Sequence, residues 1–176
     1  MFLVTLKMSK VNSEKLNFIL EATKSYKHNG KDFFDHLLRT SGIVEKLCQQ
    51  IGIEDSEYLI DAALFHSIYG TDYYEFNEQI SREKIISLIG ERAEQLVHFF
   101  CSLTDRNLQI LQHKFQPSLQ RDLYILEYAN LIEVSVADVQ KTSALNPSKI
   151  FRLKLLRANL IDHYKFDMPP LPFNFA

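Results

Sequence analysis

Glycine and proline are scarce in this 176-residue chain, five of each, and three of the prolines crowd into the final stretch MPPLPFNFA. Long segments are therefore left without a natural break. Cysteine is scarcer still: Cys48 and Cys101 form no CxxC and no paired-cysteine metal spacing, which excludes a disulfide scaffold and a cysteine zinc site. Both lie in apolar helical contexts, and two inert thiols in a reducing compartment are expected. Excess charge of either sign is also missing. A net charge of −2, a pI near 6.3 and scattered basic residues argue against a nucleic-acid partner. No apolar run approaches the ~18 residues of a membrane span, and MFLVTLKM stays apolar too briefly for a signal-peptide core. A cytoplasmic protein with no membrane partner is expected.

What remains is an ordinary globular composition, 46% hydrophobic and 24% charged. The unbroken segments repeat with the period of a helix and not of a strand. Ser13–Lys27 reads as a first helix, ended by His28-Asn29-Gly30. Asp32 caps a second, running to about Gln50 and closed by Gly52. Asp55 or Ser56 opens a third, which runs through DAALFHSIYGT to a Gly70-Thr71 turn. Gly70–Gln79 has no period and reads as a functional loop. Ser81 caps a helix ending at Gly90, Glu91–Leu103 forms another, and Thr104-Asp105 caps one to about Phe115. Ser118 to about Lys141 is the longest, and Asn146-Pro147-Ser148 opens the last, to about Phe166. The expected fold is all-α: one domain over residues 1–176, with a core of about 13–166 and an extended tail, 167–176. Phe173 and Phe175 in that tail suit a contact with a second copy of the chain or a strap over the core.

Three helices carry polar groups where apolar ones belong. Leu59, Ala62, Ala63 and His66 share one helical face, which aims an imidazole at the interior. A buried polar group without a partner costs roughly 1–3 kcal/mol, so His66 needs one. On the longest helix Leu123, Glu127, Asn130, Val134 and Ala137 form a stripe in which two of five members are polar. His36, within FFDHLL, lies beside Phe33, Leu37 and Thr40 on another apolar side. Three helices bringing polar groups to greasy faces is how bundles build metal and small-ligand sites. His36, His66, Glu127 and Asn130 are therefore expected to converge. His98 and His113 read as structural or exposed, and His28 and His163 as solvent residues. Glu91 and Glu94 read as a solvated face, and Tyr69, Tyr73 and Tyr74 suit a pocket mouth.

The order of these motifs resembles the HD-domain superfamily of metal-dependent phosphohydrolases, and within it the alarmone (guanosine tetraphosphate) hydrolase branch. AALFHS at Ala62–Ser67 is similar to that branch's Ala-Leu-Leu-His-Asp segment. IGERAEQLVHFFCSLTD at Ile89–Asp105 and RDLYILEYANLIE at Arg121–Glu133 are similar to its later helices. Closer still is the likeness to an uncharacterised family of small HD-like proteins carrying HS(I/V)YGT in place of HD. The resemblance implies an HD-like helical bundle in which His36 and His66 hold the metal-histidine positions. Ser67 stands where the eponymous aspartate is expected, and Asn130 where the last metal aspartate is. The branch's acidic pair falls on Gly70 and Thr71, with Asp72 one residue out of register. Two histidines with Ser and Asn bring no charge to balance a divalent ion. Glu127 restores one carboxylate, giving a set that suits Fe or Zn, with Mn less favoured.

Three functions follow as expectations. The first is a metal-dependent hydrolase of a phosphorylated or nucleotide-like small molecule. Its metal residues are His36, His66 and Asn130, its catalytic carboxylates Glu127 and Asp72, and its substrate contacts Arg39, Ser67, Tyr69 and Thr71. The second is a non-catalytic HD-like protein that binds a small ligand or partner through the same pocket. The third is an iron-dependent oxygenase recruiting His98 and His113.

Overall fold

The computed structural model describes residues 12–28, 30–70, 80–142, 144 and 146–172. Eight helices lie among them: α1 (Ser13–Thr23), α2 (Phe33–Ile51), α3 (Glu57–Phe65), α4 (Arg82–Ile89), α5 (Glu91–Ser102), α6 (Arg106–Leu111), α7 (Pro117–Thr142) and α8 (Pro147–Tyr164). A two-residue antiparallel ladder, β1 (Lys27–His28) with β2 (Lys31–Asp32), is the one sheet among the described residues. The architecture is an all-α bundle.

Local chemistry sets most of the boundaries. Side-chain oxygens of Asn12, Ser81 and Asn146 accept backbone N–H bonds at the starts of α1, α4 and α8. Pro147 occupies the first turn of α8, where its missing N–H costs nothing. Gly52 closes α2 in the left-handed region at φ 75°, a conformation that a side chain would strain. Four expected boundaries shift. Helix α1 stops at Thr23, because Lys27–His28 folds back on Lys31–Asp32 and the Lys27 ammonium meets the Asp32 carboxylate across the hairpin. Asp32 therefore occupies the cap position of α2 without a side-chain capping bond. Helix α3 ends at Phe65, not at Thr71: Ile68 N–H donates to Phe65 O, Gly70 N–H donates to Ser67 O, and Gly70 turns at φ 83°. Helices α6 and α8 are cut short before His113 (φ 53°) and Lys165 (φ 58°).

Helix α3 is the centre of the bundle. Every residue from Tyr58 to Phe65 is buried, and α2, α4, α5 and α7 all pack around it. Helix α7 is likewise buried continuously from Asp122 to Leu131, packed against α2, α3, α5, α6 and α8. Residues 165–172 continue along α8 without helix. Met168 is buried there, and Arg157 donates to the carbonyls of Met168 and Pro169 at 2.7 and 2.9 Å. Phe173 and Phe175 lie outside the described residues.

One buried ion pair ties α1 to this centre. Lys15 Nζ donates to Asp61 Oδ2 at 2.6 Å, and the two residues are 7% and 3% exposed. Asp61 Oδ1 has no partner, and burial pushes its carboxyl above the usual range despite Lys15. Removing one partner of such a pair is far costlier than removing both. Lys15→Met is expected to lower stability by about 3–5 kcal/mol in urea titrations at neutral pH. The double variant Lys15→Met/Asp61→Leu should regain most of that loss.

Candidate functional site

Helix α3 ends one residue before His66, which leaves carbonyls at its last turn without helical partners. His66 supplies one of the missing bonds: its Nδ1 lies 2.7 Å from Ala63 O. A carbonyl oxygen can only accept, so Nδ1 carries the hydrogen and a neutral His66 presents a bare lone pair at Nε2. That lone pair faces His36 Nε2, 3.2 Å away, with the rings edge to face at 71°. On the far side of His36, Nδ1 lies 2.5 Å from Glu133 Oε2, and Arg39 donates to Glu133 Oε1 at 2.8 Å. His36, His66 and Glu133 are at most 3% exposed.

The pair forms the floor of a cavity of about 360 Å³. Glu127, Asn130 and Ser67 line it, so the four residues that sequence periodicity pointed inward share one interior space. Asn130 Nδ2 donates to Glu127 Oε2 at 3.2 Å, and Arg106 Nε stands 3.4 Å from that same oxygen without hydrogen-bond geometry. Arg106 also covers the ring of Phe100, 4.2 Å from its centroid, and His66 meets that ring edge-on. Asp105, in the left-handed region at φ 46°, turns the chain immediately before it. Lys149 and Arg152, one turn apart on α8, also line the cavity, so the described lining holds three basic residues and one carboxylate, Glu127. Lys149 is engaged by Asp138 at 2.6 Å. The Nε atoms of Arg106 and Arg152 and Asn107 Oδ1 are buried without hydrogen-bond partners. Such groups are costly unless a bound ligand or water meets them.

His28, expected at the solvent, is instead part of the wall. The β1–β2 hairpin lays its ring over His36 at a centroid distance of 4.3 Å. His28, His36 and Glu133 offer ligand atoms within 4.8 Å of one another. Both Glu133 oxygens are already engaged there, by His36 Nδ1 and Arg39, so a metal would have to displace those bonds. Glu94, read as solvated, is fully buried. It accepts two bonds from Arg82, both at 2.7 Å, and one from Tyr69 Oη at 2.9 Å. Burial pushes the Glu94 carboxyl up, yet these hydrogen bonds outweigh it and hold it below the usual range.

The other expected contacts scatter. Tyr69 turns to Glu94 and Arg39 to Glu133, and neither lines the cavity. Thr71 and Asp72 lie outside the described residues, as do Tyr73 and Tyr74. His98 and His113 are exposed: His98 meets Tyr69 edge-on, and His113 stacks on His163 and bonds Tyr124 Oη at 3.0 Å. Neither can join His36 and His66. Cys101 donates its S–H to His66 O at 3.2 Å, and burial pushes the thiol up to about 12, so it is inert.

Two of these imidazoles resist protonation. Burial lowers His28 to about 4, helped by the neighbouring His36, and burial places His66 well below its ordinary value, with His36 again contributing. Below about pH 6.5 the unfolded chain takes up protons that the folded one refuses, so stability falls with acidification. The decline should begin near pH 6.5, above the carboxylate range, in urea titrations at successive pH values. His28→Gln should flatten the segment between about 6.5 and 4, and an unchanged slope would contradict the assignment.

Comparison with known proteins adds a family and no activity. No curated protein and no solved structure matches the chain. The matched family segment, residues 19–106, spans half of the chain. It takes in both histidines, Ser67 and Arg106, and stops before Glu127, Asn130 and Glu133. The chain belongs to the family described as a domain of unknown function (DUF6817).

Proposed function

We propose that this cavity binds a small phosphorylated or nucleotide-like molecule and hydrolyses it with the help of a divalent transition metal (Fe, Zn or Mn), as an HD-like enzyme with altered ligands. The observation that carries the reading is the pair of Nε2 atoms 3.2 Å apart, each belonging to a ring whose other nitrogen is already bonded to oxygen. Two neutral lone pairs pointed at each other are repulsive. The arrangement becomes favourable when a cation lies between them. Two imidazole ligands at metal–nitrogen distances of about 2.0–2.1 Å stand roughly 3–3.4 Å apart, so the spacing fits a shared ion.

The remaining donors line the same cavity, but no Glu127 oxygen lies within 4.8 Å of both imidazole nitrogens, so the carboxylate would have to swing inward to join them. Glu127 is the lining carboxylate, with Asn130 steadying one of its oxygens and Ser67 offering a hydroxyl nearby in the wall. His36, His66 and Glu127 would hold the metal, a two-His-one-carboxylate set. When bound, the metal supplies Lewis acidity toward a phosphoryl oxygen. The chain's own residues do the rest. Arg106 and Arg152 turn unpartnered Nε–H groups to the anionic oxygens, with Lys149 adding charge beside them. Phe33, Leu131 and Val134 give the organic part of the ligand an apolar wall and exclude water from it. No described helix is long and apolar enough to cross a membrane, and both cysteines are free, which suits a cytoplasmic enzyme.

A second reading rests on a different contact. Arg106 and Asn130 both approach Glu127 Oε2, so that carboxylate is already compensated within the protein. This favours a metal-free binding pocket in which His36 carries two protons and donates to both Glu133 and His66. The positions of His98 and His113 give the oxygenase reading no support.

Elemental analysis of the purified protein decides between the first two. About one Fe, Zn or Mn per chain is expected, lost in His66→Ala together with hydrolysis of a nucleotide panel. Arg152→Ala should keep the metal and raise KM about tenfold or more, the worth of one charged hydrogen bond. A metal-free protein whose melting temperature ignores chelators would leave only the binding pocket.

A further inference from the structure

We infer that Glu133 is the positioning residue that decides which nitrogen of His36 carries the hydrogen, and so leaves Nε2 bare toward the cavity. The inference rests on the metal-site reading above for its consequence, though not for its geometry. A neutral imidazole has one N–H and one lone pair, and its partners choose between them. Glu133 Oε2 lies 2.5 Å from Nδ1, and an ionised carboxylate can only accept. Nδ1 must therefore carry the hydrogen. Nε2 is left bare toward His66.

Arg39 makes this arrangement rigid. His36 and Arg39 lie three residues apart on α2, and they grip the two oxygens of one carboxylate projecting from α7. Glu133 is 3% exposed, so it cannot swing to solvent and trade partners. Burial pushes its carboxyl up, but the bonds from His36 and Arg39 outweigh that and hold it below its usual range, which keeps it an acceptor.

Without Glu133 the two imidazoles would satisfy each other. His66 is locked with Nδ1–H on Ala63 O, so its Nε2 always needs a donor. A free His36 would supply one by taking the Nε2–H form. The 3.2 Å gap would then close as an ordinary N–H···N bond, and no ligand pair would exist. Glu133 forbids that outcome in the neutral state. Outer partners of this kind are worth about 10–100-fold in metal affinity.

Two measurements test the assignment, and one needs no variant. Ring ¹⁵N NMR of the metal-free wild-type chain, above the imidazole titration range, should show His36 protonated at Nδ1 and bare at Nε2. Glu133→Gln offers Nδ1 an amide donor and should move the hydrogen to Nε2, weakening Zn²⁺ binding about 10–100-fold. Arg39→Met, which leaves the carboxylate in place, should keep the Nδ1–H form. A wild-type His36 bearing its hydrogen on Nε2 would overturn the inference. So would a Glu133→Gln chain with unaltered tautomer and Zn²⁺ affinity. If the wild type shows the Nδ1–H form yet takes up no Zn²⁺, the metal reading fails and the role of Glu133 stands.

Discussion

Two imidazole nitrogens held 3.2 Å apart, with no hydrogen to share in the neutral state, are the constraint around which this protein is arranged. Each is fixed from behind by an acceptor-only oxygen: the last-turn carbonyl of Ala63 for His66, the Glu133 carboxylate for His36. The first anchor is a by-product of ending α3 early. The second requires α2 and α7 to meet at a set height, because Glu133 must reach both His36 and Arg39. A shift of either helix by one turn, about 5.4 Å, would break both Glu133 bonds at once. The packing of α2, α3 and α7 and the chemistry of the pocket are thus one problem.

The cavity above the pair is electrically one-sided. Among the described lining residues Arg106, Lys149 and Arg152 outnumber Glu127, although the chain as a whole carries a net charge of −2. A local field opposed to the overall charge is a feature of the site, and the low-dielectric walls of Phe33, Leu131 and Val134 strengthen it. Arginine suits this task better than lysine, because a guanidinium presents its donors in a fixed plane. The compensation of Glu127 by Arg106 sets the balance between holding a cation and holding an anion. On the proposed function, an incoming anionic group that draws Arg106 toward itself would free the carboxylate for the metal.

Much of this was legible in the sequence, and the rest was hidden for definable reasons. The all-α fold followed from unbroken helical periodicity, and His36, His66, Glu127 and Asn130 stood out as polar residues on apolar faces. Their sharing of one cavity reflects how few ways a buried helix can accommodate such groups. Periodicity was a poor guide to phase on α7, where every residue from Asp122 to Leu131 is buried and no face is favoured. Glu133 was passed over for that reason. Its signal was its spacing, one turn beyond Asn130, matched by Arg39 one turn beyond His36. His28 was lost with the hairpin: Asn29-Gly30 is a strong two-residue turn signal, yet it was read as the end of a helix. Glu94 looked solvated because its partners, Tyr69 and Arg82, lie outside its own helix. Arg106 and Arg152 gave no local signal, since their places in the wall depend on how α6 and α8 meet α7.

X-ray absorption at the cobalt K edge, on the wild-type chain loaded with Co²⁺, tests the central claim most directly. The account predicts a first shell containing two imidazole nitrogens and at least one carboxylate oxygen at about 2.0–2.2 Å, with the imidazole scattering reduced in His66→Ala. A spectrum of the hydrated ion, unaltered by that substitution, would contradict it.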